Sequence, residues 1–70
     1  MWIEQGEKVK QLRLDKNLMI RDLHNITGLA ESQITNVEKG RRKPSVITVK
    51  KLADGLQCSF DVIYNLYYQE

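Results

Sequence analysis

Two groups of polar side chains stand close together in the middle of this 70-residue sequence. The first is Glu31, Ser32, Gln33, Thr35 and Asn36, hydrogen-bonding residues interrupted only by Ile34. The second is Lys39-Gly40-Arg41-Arg42-Lys43, four cations in five residues. Such a density of positive charge is either a solvated loop or a contact for phosphate. Nucleophilic and metal chemistry have much less to work with. His24 is the single histidine and Cys58 the single cysteine, so neither a nucleophile–base pair nor a metal site is expected, and no catalytic residue or cofactor is assigned. His24 reads as a partly exposed packing residue.

Charge is polarised along the chain. Residues 1–51 hold all eleven lysines and arginines against six acids, a balance of +5, whereas residues 52–70 hold three acids and no base, a balance of −3. The cationic part therefore suits a polyanion and the C-terminal part does not. Apolar residues make up 41% and charged residues 29%, the mixture of a soluble globular domain rather than a disordered tail. Apolar runs stop at three residues, far short of the roughly 20 a membrane span needs. With no signal peptide and no internal disulfide available, a reducing cytoplasm is the expected setting.

The elements that must position these groups are read from periodicity and punctuation. A first helix is expected over about Glu4 to Asp15, with Val9, Leu12 and Lys16 at i, i+3, i+7 and Asn17 ending it. A second, about Ile20 to Ile26, turns Leu23 and Ile26 inward and stops at Thr27-Gly28. A third runs from about Glu31 to Lys39, with Ile34 and Val37 inward after Leu29, and ends at Gly40. Pro44-Ser45 signals a fourth over about Val46 to Asp54, with Val46, Val49, Leu52 and Ala53 as its apolar stripe and Gly55 at its end. Ser59 is a candidate N-cap for a fifth, about Phe60 to Tyr67. The sequence thus predicts one all-α domain of five short helices over residues 1–70, with residues 65–70 as a tail that frays.

The order Val9-x2-Leu12-Arg13, Leu23-x4-Gly28-Leu29-x4-Ile34-x2-Val37-Glu38-x-Gly40, Pro44-Ser45-x2-Thr48-x3-Leu52-Ala53-x2-Leu56 and Ser59-x-Asp61-x-Ile63 resembles the phage-repressor and Cro-like, XRE-type helix-turn-helix family. The match covers about residues 6–64. The resemblance implies a compact lambda-repressor-like fold in which the second and third helices form the helix-turn-helix. It implies a bacterial or phage-encoded regulator of transcription, repressor-type and nucleoid-associated, bound to double-stranded DNA at a palindromic operator. It also implies a homodimer, because one such domain covers half of a two-fold site. No membrane and no small-molecule ligand are implied.

Residue roles follow from the same resemblance. The third helix becomes the recognition helix, with Glu31, Ser32, Gln33 and Asn36 reading bases: Asn and Gln can bond adenine bidentately, and a carboxylate can accept from cytosine. Lys39, Arg41, Arg42 and Lys43, with Arg21 and Thr35, become phosphate contacts, which position the domain without specifying sequence. Arg13 and Glu38 map onto a partly buried ion pair that joins the first helix to the third. The alternative for these two is a pair of exposed charges worth almost nothing. The acidic, tyrosine-rich end supplies the expected dimer surface through Val62, Ile63, Tyr64, Leu66 and Tyr67, with Trp2 and Ile3 near it.

Several positions depart from the family's pattern. Met19 and Ile20 stand where a polar cap and a phosphate-holding glutamine are usual, Ala30 where a serine cap is usual, His24 in place of a small alanine and Thr27 in place of an inward leucine. These favour a second reading, a protein-interaction module that keeps the motif without gripping DNA. An RNA-binding reading is weaker, because the tyrosines lie on the acidic half.

Overall fold

Four residues with left-handed backbone, Asn17 (φ 58°), Gly28 (φ 78°), Gly40 (φ 77°) and Gln57 (φ 57°), punctuate the chain in a computed structural model that describes residues 1–68. Each lies at or just past the end of a helix, where this conformation lets departing amides reach the last free carbonyls. The helices are α1 (Ile3–Asp15), α2 (Ile20–Thr27), α3 (Glu31–Glu38), α4 (Val46–Leu56) and α5 (Phe60–Tyr68). Among the described residues all regular structure is helical.

The core is assembled from one or two faces of every helix: Val9, Leu23, Ile34, Val37, Val49, Leu52, Leu56 and Ile63 are all buried. Helix α1 lies against α3 and α5, α2 against α3 and α4, and α4 against α5. The α1–α3 approach is close enough to require glycine, since a Cβ at Gly6 would collide with the carbonyl oxygens of Val37 and Glu38. Ser45 caps α4 as expected, its Oγ accepting from the Thr48 amide at 3.2 Å.

Several sequence expectations are corrected by the packing. Ile26 is 57% exposed, because α2 sets Thr27 and Leu23 closer against Gly55 of α4 and leaves Ile26 at the rim of that contact. Val46 is exposed and Thr48 takes the buried place at the start of α4. Gly55 does not end α4: the helix continues to Leu56, with Gly55 buried against the Thr27 methyl. Of the expected dimer surface, Ile63 (0% exposed) and Tyr67 (5%) belong to the monomer's core, so neither is available to a partner. Their positions on α5 turn them toward the core, whereas Val62 is exposed and Tyr64 and Leu66 are half-buried. The expected fraying tail is helical through Tyr68, and its last two positions, 69 and 70, lie outside the described residues.

Candidate nucleic-acid interface

Helix α3 begins after a tight connection in which Gly28 supplies the positive φ and Leu29 drops into the core. Two side chains of α2 fix this turn. Thr27 Oγ1 donates to the Leu23 carbonyl at 2.7 Å and accepts from the Leu29 amide at 3.1 Å. The Leu29 carbonyl can only accept, so the His24 Nδ1–H donates to it, at 2.6 Å. His24 and Thr27, two of the departures from the family's pattern, thus tie α2 to the turn.

The seam with α1 fixes α3 from the other side. Arg13 Nε donates to Glu38 Oε2 at 2.7 Å and its Nη2 to Glu38 Oε1 at 2.9 Å, a bidentate pair with both side chains buried. A third bond, from Nη1 to the Leu18 carbonyl at 2.7 Å, occupies the remaining side of the guanidinium. The hydrogen bond to Glu38 outweighs burial and raises the Arg13 pKa above its ordinary value. Charges removed from water are tolerated when their partners are satisfied in this way.

With Ile34 and Val37 turned inward, α3 presents Glu31, Ser32 and Gln33 to solvent, while Thr35 and Asn36 are half-buried. Glu31 shares a groove with Arg21, Met19 and Asp22 where the N-terminal ends of α2 and α3 meet. Asn36 is joined to the cationic loop: its carbonyl accepts from the Arg41 amide at 3.0 Å, and its Oδ1 lies 3.5 Å from Arg41 Nη1. Gln33 opens onto a recess with Arg42, Ser45 and Thr48. Thr35 lines a groove between α1 and α3 together with Lys10 and Lys39. Lys39, Arg41 and Arg42 are exposed. The expected base-reading and phosphate-contacting residues therefore fall on one contiguous stretch, α3 and the loop after it, with Arg21 at its start.

Lys43 is the exception. Its Nζ lies 4.1 Å from the ring centroid of Tyr68 and 5.4 Å from that of Trp2, so its ammonium is engaged by aromatic faces of the protein itself. Three other features lie beyond the sequence reading. Lys10 joins Lys39 at the α1–α3 groove, and its spacing of three from Arg13 was the available signal. Asp22 accepts from the Met19 amide at 2.8 Å, supplying at the third position of α2 part of what an uncharged Met19 cap lacks. Trp2 and Tyr68 meet Lys43 from opposite ends of the chain, a proximity that no local pattern signals. Among the described residues there is no group of three or more His, Cys, Asp or Glu that could hold a metal ion.

Residues 9–63 match the model of the helix-turn-helix family HTH_3. The chain belongs to this helix-turn-helix family. It is 31% identical over 67 residues to the HTH-type transcriptional repressor RghR of Bacillus subtilis, covering 93% of this chain and 50% of that protein. It is 33% identical over 54 residues to the uncharacterized HTH-type transcriptional regulator y4dJ of Sinorhizobium fredii, covering 77% of this chain and 70% of the relative. The chain spans about half the length of the Bacillus repressor. Among solved structures, the restriction-modification controller protein C.AhdI from Aeromonas hydrophila superposes with a TM-score of 0.84 at 29% identity, over 89% of this chain and 94% of that one. The family is one of DNA-binding transcriptional regulators. Among the described residues no helix is long and apolar enough to cross a membrane.

Proposed function

We propose that this domain is a sequence-specific, repressor-type regulator that places α3 in the major groove of double-stranded DNA in the cytoplasm. The observation that carries the reading is the exposed polar face of α3 running directly into the exposed cations Lys39, Arg41 and Arg42. An α-helix with its side chains fits the roughly 12 Å wide major groove, and a cationic elbow beyond it meets the phosphates that flank the groove. In this reading Glu31, Ser32, Gln33 and Asn36 read bases, while Arg21, Thr35, Lys39, Arg41 and Arg42 meet the backbone. The protein acts as a homodimer on a palindromic operator with half-sites about 34 Å apart. Val62 and Leu66, which flank an apolar groove with Leu12 between α1 and α5, and the half-buried Tyr64 supply the dimer contact. The 72% exposure of Met19, at a helix start where phosphate contacts are usual, favours an interaction module as the second reading.

Binding-site selection from a random duplex pool at low salt tests the proposal. Enrichment of a two-fold symmetric motif, with affinity falling as salt rises, is the expected result; no salt-dependent retention would leave the interaction module. On the selected site, Arg42→Ala should weaken all sequences alike and reduce the salt slope by about 1. Asn36→Ala should cost roughly 1–3 kcal/mol on the preferred site and little elsewhere.

A further inference from the structure

The loop after α3 is fastened at both ends to segments remote in sequence. The Trp2 amide donates to the Gly40 carbonyl at 3.1 Å, and the Tyr68 hydroxyl donates to the Pro44 carbonyl at 2.7 Å. Between these two bonds, Lys43 sets its ammonium against the Tyr68 ring and within reach of the Trp2 ring. The rings are themselves supported. Trp2 packs on buried Tyr67 with centroids 5.9 Å apart, and Tyr68 stacks on Tyr64 at 4.8 Å, which stacks on Phe60 at 5.1 Å. The aromatic residues of α5 at i, i+4 and i+8 therefore form a ladder whose last rung holds a loop cation.

We propose that Trp2 and Tyr68 are positioning residues for DNA binding, acting through Lys43, and that Lys43 holds the loop rather than contacting phosphate. The inference rests on the reading that this loop meets the DNA backbone. A cation stacked on a ring face is attracted by the ring's quadrupole. An ammonium so placed faces the protein's own rings, whereas Arg42 is exposed and has no such contact among the described residues. A loop ordered before binding spares the complex the entropy of ordering it afterwards. The clamp thus links α5, whose one charged residue is the acidic Asp61, to the geometry of the DNA-contacting loop.

The test is a salt titration of duplex affinity with the full chain. Lys43→Met, at an exposed position, should weaken binding about two- to fivefold with the salt slope unchanged. Lys43→Arg, which can also stack on the rings, should restore wild-type affinity. Measured against Tyr68→Phe, which gives up the Pro44 bond and keeps the ring, Tyr68→Leu should weaken binding further by a similar factor, and this further loss should vanish in the Lys43→Met background. A slope reduced by about 1 in Lys43→Met, matching Arg42→Ala, would make Lys43 a phosphate contact and overturn the proposal. Additivity of Lys43→Met with the difference between Tyr68→Leu and Tyr68→Phe would overturn it as well. In the free protein, NMR should show the Lys43 ε-methylene protons shifted upfield by the rings, with the shift lost in Tyr68→Leu. Unshifted protons would remove the clamp whether or not DNA binds. An intact shift without DNA retention would remove the DNA-binding reading and leave the clamp standing.

Discussion

The two flanks of the core treat buried polar groups in opposite ways. At the α1–α3 seam, Arg13 and Glu38 are both buried, and the guanidinium is matched by two carboxylate oxygens and a backbone carbonyl. On the α5 flank, the Tyr67 hydroxyl is equally buried and has no hydrogen-bond partner among the described residues. Burial alone therefore says little about what a polar residue does for stability. A charged group whose bonds are all made becomes a joint between helices, and a neutral group whose bond is unmade is a cost carried for the sake of its ring. On the proposed function the joint also serves DNA binding, since Glu38 is the last residue of α3 and Arg13 anchors it to α1.

Breaking the seam should have the largest effect. Glu38→Ala leaves a buried guanidinium without its carboxylate, and the expected loss is about 3–5 kcal/mol in urea denaturation. Domains have total stabilities of roughly 0.05–0.15 kcal/mol per residue, or about 3.5–10 kcal/mol for a chain of 70 residues, so this variant should lose a large part of its stability. The double variant Arg13→Met/Glu38→Leu should recover much of the loss, and its failure to do so would show that the charges themselves, and not their mutual satisfaction, are needed.

The α5 flank should respond to alkali. Burial pushes the Tyr67 pKa from 10.0 up to about 12. The unfolded chain therefore releases this proton at lower pH than the folded one, and binds fewer protons between those values. Stability should fall between pH 10 and 12 on this account, by at most about 1.4 kcal/mol per pH unit. Tyr67→Phe should abolish that component and, at neutral pH, should be neutral or stabilising by up to about 1 kcal/mol, because it removes an unpaired hydroxyl and keeps the ring. A clear loss of stability at neutral pH in Tyr67→Phe would mean that the hydroxyl is satisfied after all. Thermal denaturation across the pH series reads both effects.

The smallest effect belongs to the exposed counterpart of the seam. Lys50 and Asp54, one turn apart on α4, form an ion pair at 3.4 Å with both side chains 70% exposed. Lys50→Ala should change stability by no more than about 0.5 kcal/mol, and less at high salt. A cost approaching that of Glu38→Ala would break the claim that burial with full satisfaction separates the two pairs.

Punctuation residues were the most legible part of the fold. Asn17, Gly28 and Gly40 act locally, through a backbone conformation that few side chains tolerate, and so mark helix ends without reference to neighbours. Gly55 carried the same signal and misled, because its missing side chain serves contact with Thr27 rather than a turn. Gln57, with no glycine signal, ends α4 instead. Ile26 and Val46 misled for a related reason: an apolar residue on a short helix has several angular positions near a plausible inner face, and only the neighbouring helices choose among them. Of the candidate site, the polar run of α3 and the cations after it were visible as residue types. Arg13 and Glu38 were visible only through resemblance to a known pattern, since charged residues adjoining apolar ones do not by themselves declare a partner.

The sequence by itself determined five helical segments, the turn between α2 and α3, and the concentration of positive charge just beyond the polar helix. These are matters of backbone conformation, periodicity and composition, all settled within a few residues. Tertiary structure alone decided that Ile63 and Tyr67 face the core while Val62 faces solvent, and that Lys43 is drawn onto Trp2 and Tyr68 while Arg42 faces solvent. Periodicity assigns a side chain an angle around its own helix, but its surroundings depend on distances between segments far apart in the chain, which close only when the helices pack.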